Sequence, residues 1–265
     1  MKVGIFDSGL GGLTVVKEIS KLFKGGEIFY IADTEYAPYG EKSKDEILEH
    51  SLSITKYLIK NHNIEALIIA CNTATSAAVK ELRMEFKDLI VIGTEPGIKP
   101  AITMTKSNNV GVLATSATLK GQKYQTLLND LAILKEIRLF EQACPGLVEK
   151  IENGMIEDNK THEMLKSWLE PMKKSGVDTI VLGCTHYPLV SDIIKDYMGK
   201  DINLIETGFA IAKRLEDLSS KKGHINEGEL DIKLYYTKDI NLNMVNLILD
   251  KYTIGGKIKV RDING

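Results

Sequence analysis

Short apolar runs alternate along this chain with longer stretches in which apolar positions recur every three or four residues. The runs predict strands over 2–6, 27–32, 66–70, 89–93, 109–114, 136–142, 178–183, 202–206, 231–236 and 257–261. The periodic stretches predict helices over 13–23, 44–61, 73–86, 118–130, 158–174, 188–198, 209–218 and 239–251. The helix from 44 follows Ser43-Lys44-Asp45-Glu46, a capping box whose side chains satisfy first-turn amides. Strands alternating with helices in this way imply βαβ units and largely parallel sheets. In such sheets, functional sites lie beyond the carboxyl ends of the strands.

The pattern repeats within the chain. Residues 66–75 read ALIIACNTAT and 179–188 read TIVLGCTHYP, so each apolar run ends in a cysteine followed by hydrogen-bonding side chains. NVGVLATSAT (109–118) can likewise be laid on KVGIFDSGLG (2–11), which puts Thr115 opposite Ser8. Two similar α/β halves are therefore expected, the second beginning near residue 98, with TEPGIKP (94–100) as the crossing point. Chain beyond 208 is expected to return and complete the first domain. That gives 1–97 plus 209–265 as one domain and 98–208 as the other.

Composition narrows the function. Hydrophobic residues are 43%, charged residues 26% and the net charge is -2, which argues against a general binder of nucleic acid or membrane surfaces. No apolar run approaches the roughly 20 residues of a bilayer span, and the N-terminal residues do not read as a signal peptide. The three cysteines are sparse and odd in number, without C-x-x-C. That suits free thiols in a reducing cytoplasm.

Cys71 and Cys184 are 113 positions apart, each at a strand end with a helix expected just after. A helix N-terminus can lower a thiol's pKa. Either cysteine alone reads equally as a small buried hydrophobe; it is the matched contexts that favour chemistry. Cys144 has no such context and reads as structural. Asp7 and Ser8 precede Gly9, Gly11 and Gly12, yet the stretch fits neither phosphate-loop pattern. It reads better as a carboxylate beside a thiol, with backbone amides free to hold a small anion. Asp7 as a simple turn cap is the alternative. His186, two residues past Cys184, could exchange a proton with it. No His/Cys cluster has metal-ligand spacing.

FDSGLGG (6–12), APYGEKS (37–43), ACNTAT (70–75), CPGLVEKIENG (144–154) and GCTHYPL (183–189) together resemble the glutamate racemases, cofactor-independent members of the aspartate/glutamate racemase superfamily. The five motifs come in the family's order. The resemblance implies two α/β domains with mostly parallel sheets, related by a pseudo-twofold axis, with the site in the cleft between them. It implies no cofactor, a homodimer, and a bacterial cytoplasmic enzyme supplying D-glutamate for peptidoglycan. It makes Cys71 and Cys184 the two acid/base residues, assisted by Asp7 on one side and by His186 and Glu152 on the other. Ser8, Tyr39, Gly40, Asn72, Thr73, Thr115, Thr118 and Thr185, with Asp7 and His186, fall where the family holds substrate. The chain departs from the family at Glu149, where proline is common, and at IETG (205–208).

Two thiols suit racemisation, because one can take the α-proton while the other returns a proton to the opposite face. The rivals are a racemase for another amino acid such as aspartate, a Cys-His hydrolase, and a non-catalytic amino-acid binder. His186 stands where aspartate racemases usually carry glutamate. A hydrolase would not need the second matched cysteine.

Overall fold

The computed structural model describes residues 1–131, 137–252 and 257–263. Among these residues ten strands form two sheets, and every strand pairing is parallel. The first sheet contains β1 (Lys2–Asp7), β2 (Glu27–Ala32), β3 (Ala66–Ile69), β4 (Ile90–Gly93), β9 (Asp231–Tyr236) and β10 (Lys257–Asp262), in the order β10-β9-β2-β1-β3-β4. The second contains β5 (Asn109–Ala114), β6 (Arg138–Ala143), β7 (Thr179–Gly183) and β8 (Asn203–Ile205), in the order β6-β5-β7-β8. The run β2-β1-β3-β4 in the first sheet matches β6-β5-β7-β8 in the second. The internal repeat is therefore a repeat of topology, with β1 matching β5 and β3 matching β7.

The central strands read as continuous apolar runs because both faces are covered. Val3, Ile5, Ile28, Tyr30 and Ile68 face one core. Phe6, Phe29, Ile31, Leu67 and Ile69, each next to one of these or one residue on, face the other. This is the period of two expected of a strand. Helices α1 (Leu13–Leu22) and α10 (Gly208–Lys221) pack together on the first of these sides, and α2 (Lys44–His62) and α3 (Asn72–Glu85) on the other. The capping box forms as expected, with Ser43 and Glu46 exchanging hydrogen bonds.

All ten expected strands occur, with ends moved by at most two residues. The helices need corrections. The crossing stretch 94–100 runs into a helix that was not expected, α4 (Ile98–Met104); Pro100 is tolerated because a first-turn N–H has no partner within the helix. The expected helix 118–130 is two, α5 (Ser116–Lys120) and α6 (Gln122–Leu131), broken where Gly121 is extended. A short α7 (Leu147–Glu152) was not expected; it follows Gly146, whose φ of 75° is in the left-handed region that favours glycine. The helix expected from 188 begins as a 3-10 turn, Tyr187–Val190, and continues as α9 (Ser191–Met198). The remaining helices are α8 (Asn159–Lys174) and α11 (Leu242–Tyr252).

Candidate active site

The carboxyl ends of β1, β3, β5 and β7 meet at one cleft. Ser8 follows β1, Cys71 follows β3 by one residue, Thr115 follows β5 and Cys184 follows β7. All four line the cleft, with Tyr39, Gly40, Asn72, Thr73, Thr185 and His186. The cleft measures about 570 Å³ to its open mouth, of which about 60 Å³ is reachable by the centre of a water molecule. Two sequence-distant thiols thus face one enclosed space.

The two thiols have different surroundings. Cys71 caps α3, its sulfur accepting from the Ala74 N–H at 3.4 Å and lying 3.8 Å from the Ser8 hydroxyl. The expectation of a lowered pKa fails here. Burial pushes the Cys71 thiol up to about 12, and the charge of Asp7 adds to this against the Ala74 hydrogen bond. Both effects favour the protonated thiol at Cys71.

Cys184 lies 3.7 Å from His186 Nδ1. The other ring nitrogen, Nε2, lies 2.5 Å from Glu152 Oε1. Burial opposes a charged imidazole, but the hydrogen bonds and charges of Cys184 and Glu152 prevail and hold His186 well above its ordinary pKa. The Gly11 N–H also points at Nε2 from 3.2 Å, a bond the ring accepts only when that nitrogen carries no proton.

Asp7 and Glu152 act from behind the lining. Asp7 is fully buried, accepting from the Thr185 hydroxyl at 3.1 Å and the Gly9 N–H at 3.2 Å. Burial raises the Asp7 carboxyl above its usual range, with the positive His186 pulling the other way. Glu152 also accepts from the Leu10 N–H at 2.6 Å. The glycine-rich turn therefore spends its Gly9 and Leu10 amides on two protein carboxylates. The expectation that these amides would hold a free anion is overturned. Its glycines serve close approach: a Cβ on Gly9 would come within 2.2 Å of Glu152 Oε1, and one on Gly11 within 2.4 Å of His186 Nδ1.

On the opposite wall, three hydroxyls form a triangle. Thr73 and Thr115 are 3.0 Å apart, Thr115 and Thr118 2.9 Å, and Thr73 and Thr118 3.3 Å. Thr118 is buried behind Thr115 and does not line the cleft. Asn72 Nδ2 is shut off from solvent and lacks a hydrogen-bond partner, a donor left open at the cleft wall. Tyr39 is buried, with its hydroxyl bound to Asp33.

Some contributors were not foreseen. Thr14 fixes the Thr185 carbonyl at 3.0 Å, and Tyr30 binds the Gly9 carbonyl at 2.6 Å. Neither position carries any signal in the sequence. Cys144, read as structural, and Glu149 also line the cleft; the C-P stretch that contains both was the available signal.

The chain matches the model of the Asp/Glu/Hydantoin racemase family over residues 10–215. It is 61% identical over 254 residues to a glutamate racemase of Aliarcobacter butzleri, covering 96% of this chain and 97% of that protein. It is 56% identical over 264 residues to one from a Sulfurovum species, covering 100% of both. Its fold is similar to the crystal structure of Escherichia coli glutamate racemase in complex with L-glutamate and activator UDP-MurNAc-Ala, with a TM-score of 0.81 and 28% identity over 98% of this chain and 97% of that one. With two matched cysteines on one cleft and likeness over its full length, the chain belongs to the Asp/Glu/Hydantoin racemase family.

Proposed function

We propose that this protein interconverts L- and D-glutamate without a cofactor, using Cys71 and Cys184 as the paired acid and base. The observation that carries the reading is that two topologically equivalent strands, β3 and β7, each deliver a cysteine to the same cleft. The names of the similar proteins supply the choice of glutamate.

Burial favours the protonated form of Cys71, and His186 presents positive charge beside Cys184. The resemblance to the glutamate racemases assigns Cys184 to L-glutamate and Cys71 to D-glutamate. Cys184 removes the α-proton, the electron pair stays on carbon, and Cys71 delivers its proton to the other face. The product is D-glutamate, the two thiols have exchanged protonation states, and the reverse reaction can follow. Asp7 serves the Cys71 side through its field, and the Glu152–His186 pair serves Cys184. The carbanion needs stabilising, because the α-proton is far less acidic than a thiol. The open Asn72 amide, with the hydroxyls of Ser8, Thr73, Thr115 and Thr185 and the backbone at Gly40, would hold the carboxylates. Preorganised donors of this kind can contribute about 3–4 kcal/mol each to lowering a barrier. Tyr39 shapes the wall, and Thr118 holds Thr73 and Thr115 in place.

The same reading takes 1–97 with 209–265 as one domain and 98–208 as the other. It includes a homodimer, a cytoplasmic location and supply of D-glutamate to peptidoglycan.

Proton NMR of L-glutamate in D₂O with the purified protein, without added cofactor, tests this alongside circular dichroism of the amino acid. Loss of the α-proton signal and decay of optical activity to zero are expected. Exchange of L-aspartate alone would move the assignment to the other substrate. Absence of α-proton exchange in every amino acid would sink the two-thiol reading.

A further inference from the structure

A second cavity abuts the cleft at Thr73, which lines both. About 250 Å³ of it is reachable by the centre of a water molecule, against about 60 Å³ in the cleft. Three lysines line it. Lys42 follows the 3-10 turn Tyr39–Glu41, Lys44 is the first residue of α2, and Lys120 is the last residue of α5. Lys44 lies 3.4 Å from Glu81, with its side chain 59% exposed. Neither Lys42 nor Lys120 makes an ion pair among the described residues. Lys42 feels the longer-range field of Glu46, whose carboxylate is committed to Ser43. The cavity therefore carries positive charge that the protein does not neutralise.

Two further features suit an oxyanion. Ser76 lines the cavity, and its Oγ is shut off from solvent without a hydrogen-bond partner. Gln122, the first residue of the ten-residue helix α6, stands at the wall, so the positive end of that helix adds to the field. Gly121 packs directly against Ser76, since a Cβ there would come within 2.0 Å of Ser76 Oγ.

We propose that this cavity binds a multivalent oxyanion of the phosphate type, held by Lys42, Lys44 and Lys120 with the Ser76 hydroxyl as a further donor. Positive side chains on one cavity attract a dianion more strongly than a singly charged ion. The donors come from the segments around β3 and from those after β5. A bound anion would fix the spacing of α3 and α5, on which Thr73 and Thr118 are carried. The site does not depend on the racemase reading, because binding requires no turnover.

Titration calorimetry with inorganic phosphate tests it, on the full chain, in an oxyanion-free buffer held at constant ionic strength with KCl. The wild type is expected to bind one phosphate per chain with a submillimolar Kd. Lys200→Gln, at an exposed lysine elsewhere, should bind equally, and the double variant Lys42→Gln/Lys120→Gln at least tenfold more weakly. In phosphate-free buffer the double variant should keep kcat/KM for glutamate within twofold of wild type. A nucleoside monophosphate titrated in parallel separates free phosphate from phosphate carried on a larger ligand; lysine-dependent binding of either supports the site. Absence of phosphate-specific heat in the wild type would overturn the proposal, as would equal affinity in the double variant. Phosphate displaced by L-glutamate equally well in the double variant would place it in the cleft, and would also overturn the proposal.

Discussion

At the scale of single residues, the two sulfurs differ through what stands behind them. Cys71 is buried beside the Asp7 carboxylate, and both favour its protonated form. Cys184 has an imidazole locked in place by Glu152. Cys71→Ser and Cys184→Ser should each lower turnover by about 10²–10⁴-fold, the usual worth of a positioned acid or base. The far-ultraviolet circular dichroism spectrum should stay unchanged. Normal racemisation of L-glutamate by Cys184→Ser would contradict the paired scheme. His186 makes a prediction about stability. Its folded pKa lies above the unfolded value of about 6.5, so its proton-linked contribution is fully present below that pH. The contribution declines as pH rises from there through the folded pKa. The gap in melting temperature between wild type and His186→Asn should be widest below about pH 6.5 and narrow at higher pH. A gap independent of pH would show that His186 is not held charged.

At the scale of elements, the glycine turn after β1 is the part of the site least tolerant of change. It passes close enough to His186 and Glu152 that two missing side chains are part of the design. Gly11→Ala should cost about 1–3 kcal/mol by overpacking, read as a lower denaturation midpoint. It should also reduce turnover by pushing the imidazole away from Cys184. Wild-type stability and activity would mean that the turn relaxes freely. The helices explain what reading the chain could and could not reach. The strand ends that carry Asp7, Cys71 and Cys184 are legible because an apolar run stops where chemistry starts. The helix α7 is not, because six residues give too short a period to recognise. Glu152, at its end, was placed by resemblance alone, and the structure shows why that position matters: α7 carries the carboxylate to His186.

At the scale of the whole molecule, the chain leaves the first sheet after β4, builds the second and returns. Strand β9 pairs with β2 along its full length, so residues late in the sequence complete a sheet begun at residue 2. Leu230, Ile232, Leu234, Met244, Val245 and Ile248 are buried in the core shared with β1 and α1. Burial of six such side chains is worth about 9–18 kcal/mol as an upper estimate, comparable with the whole stability of a domain, about 5–15 kcal/mol. A chain ending at Lys222 should therefore lose its cooperative melt. A truncated chain with a wild-type melting curve would show that the first sheet stands without its return strands.

The ten strands, their parallel arrangement, the internal repeat and the two cysteines can all be read from the order of residues. These are local features, written in period, run length and the residues at which runs stop. The folded arrangement sets how the two cysteines differ, which groups back each of them and where the glycine amides are directed. It also decided that three lysines and Ser76 share a cavity. Burial, a neighbour's charge and the absence of a Cβ act through space, between residues as far apart as Gly11 and His186, and period along a chain carries no record of them.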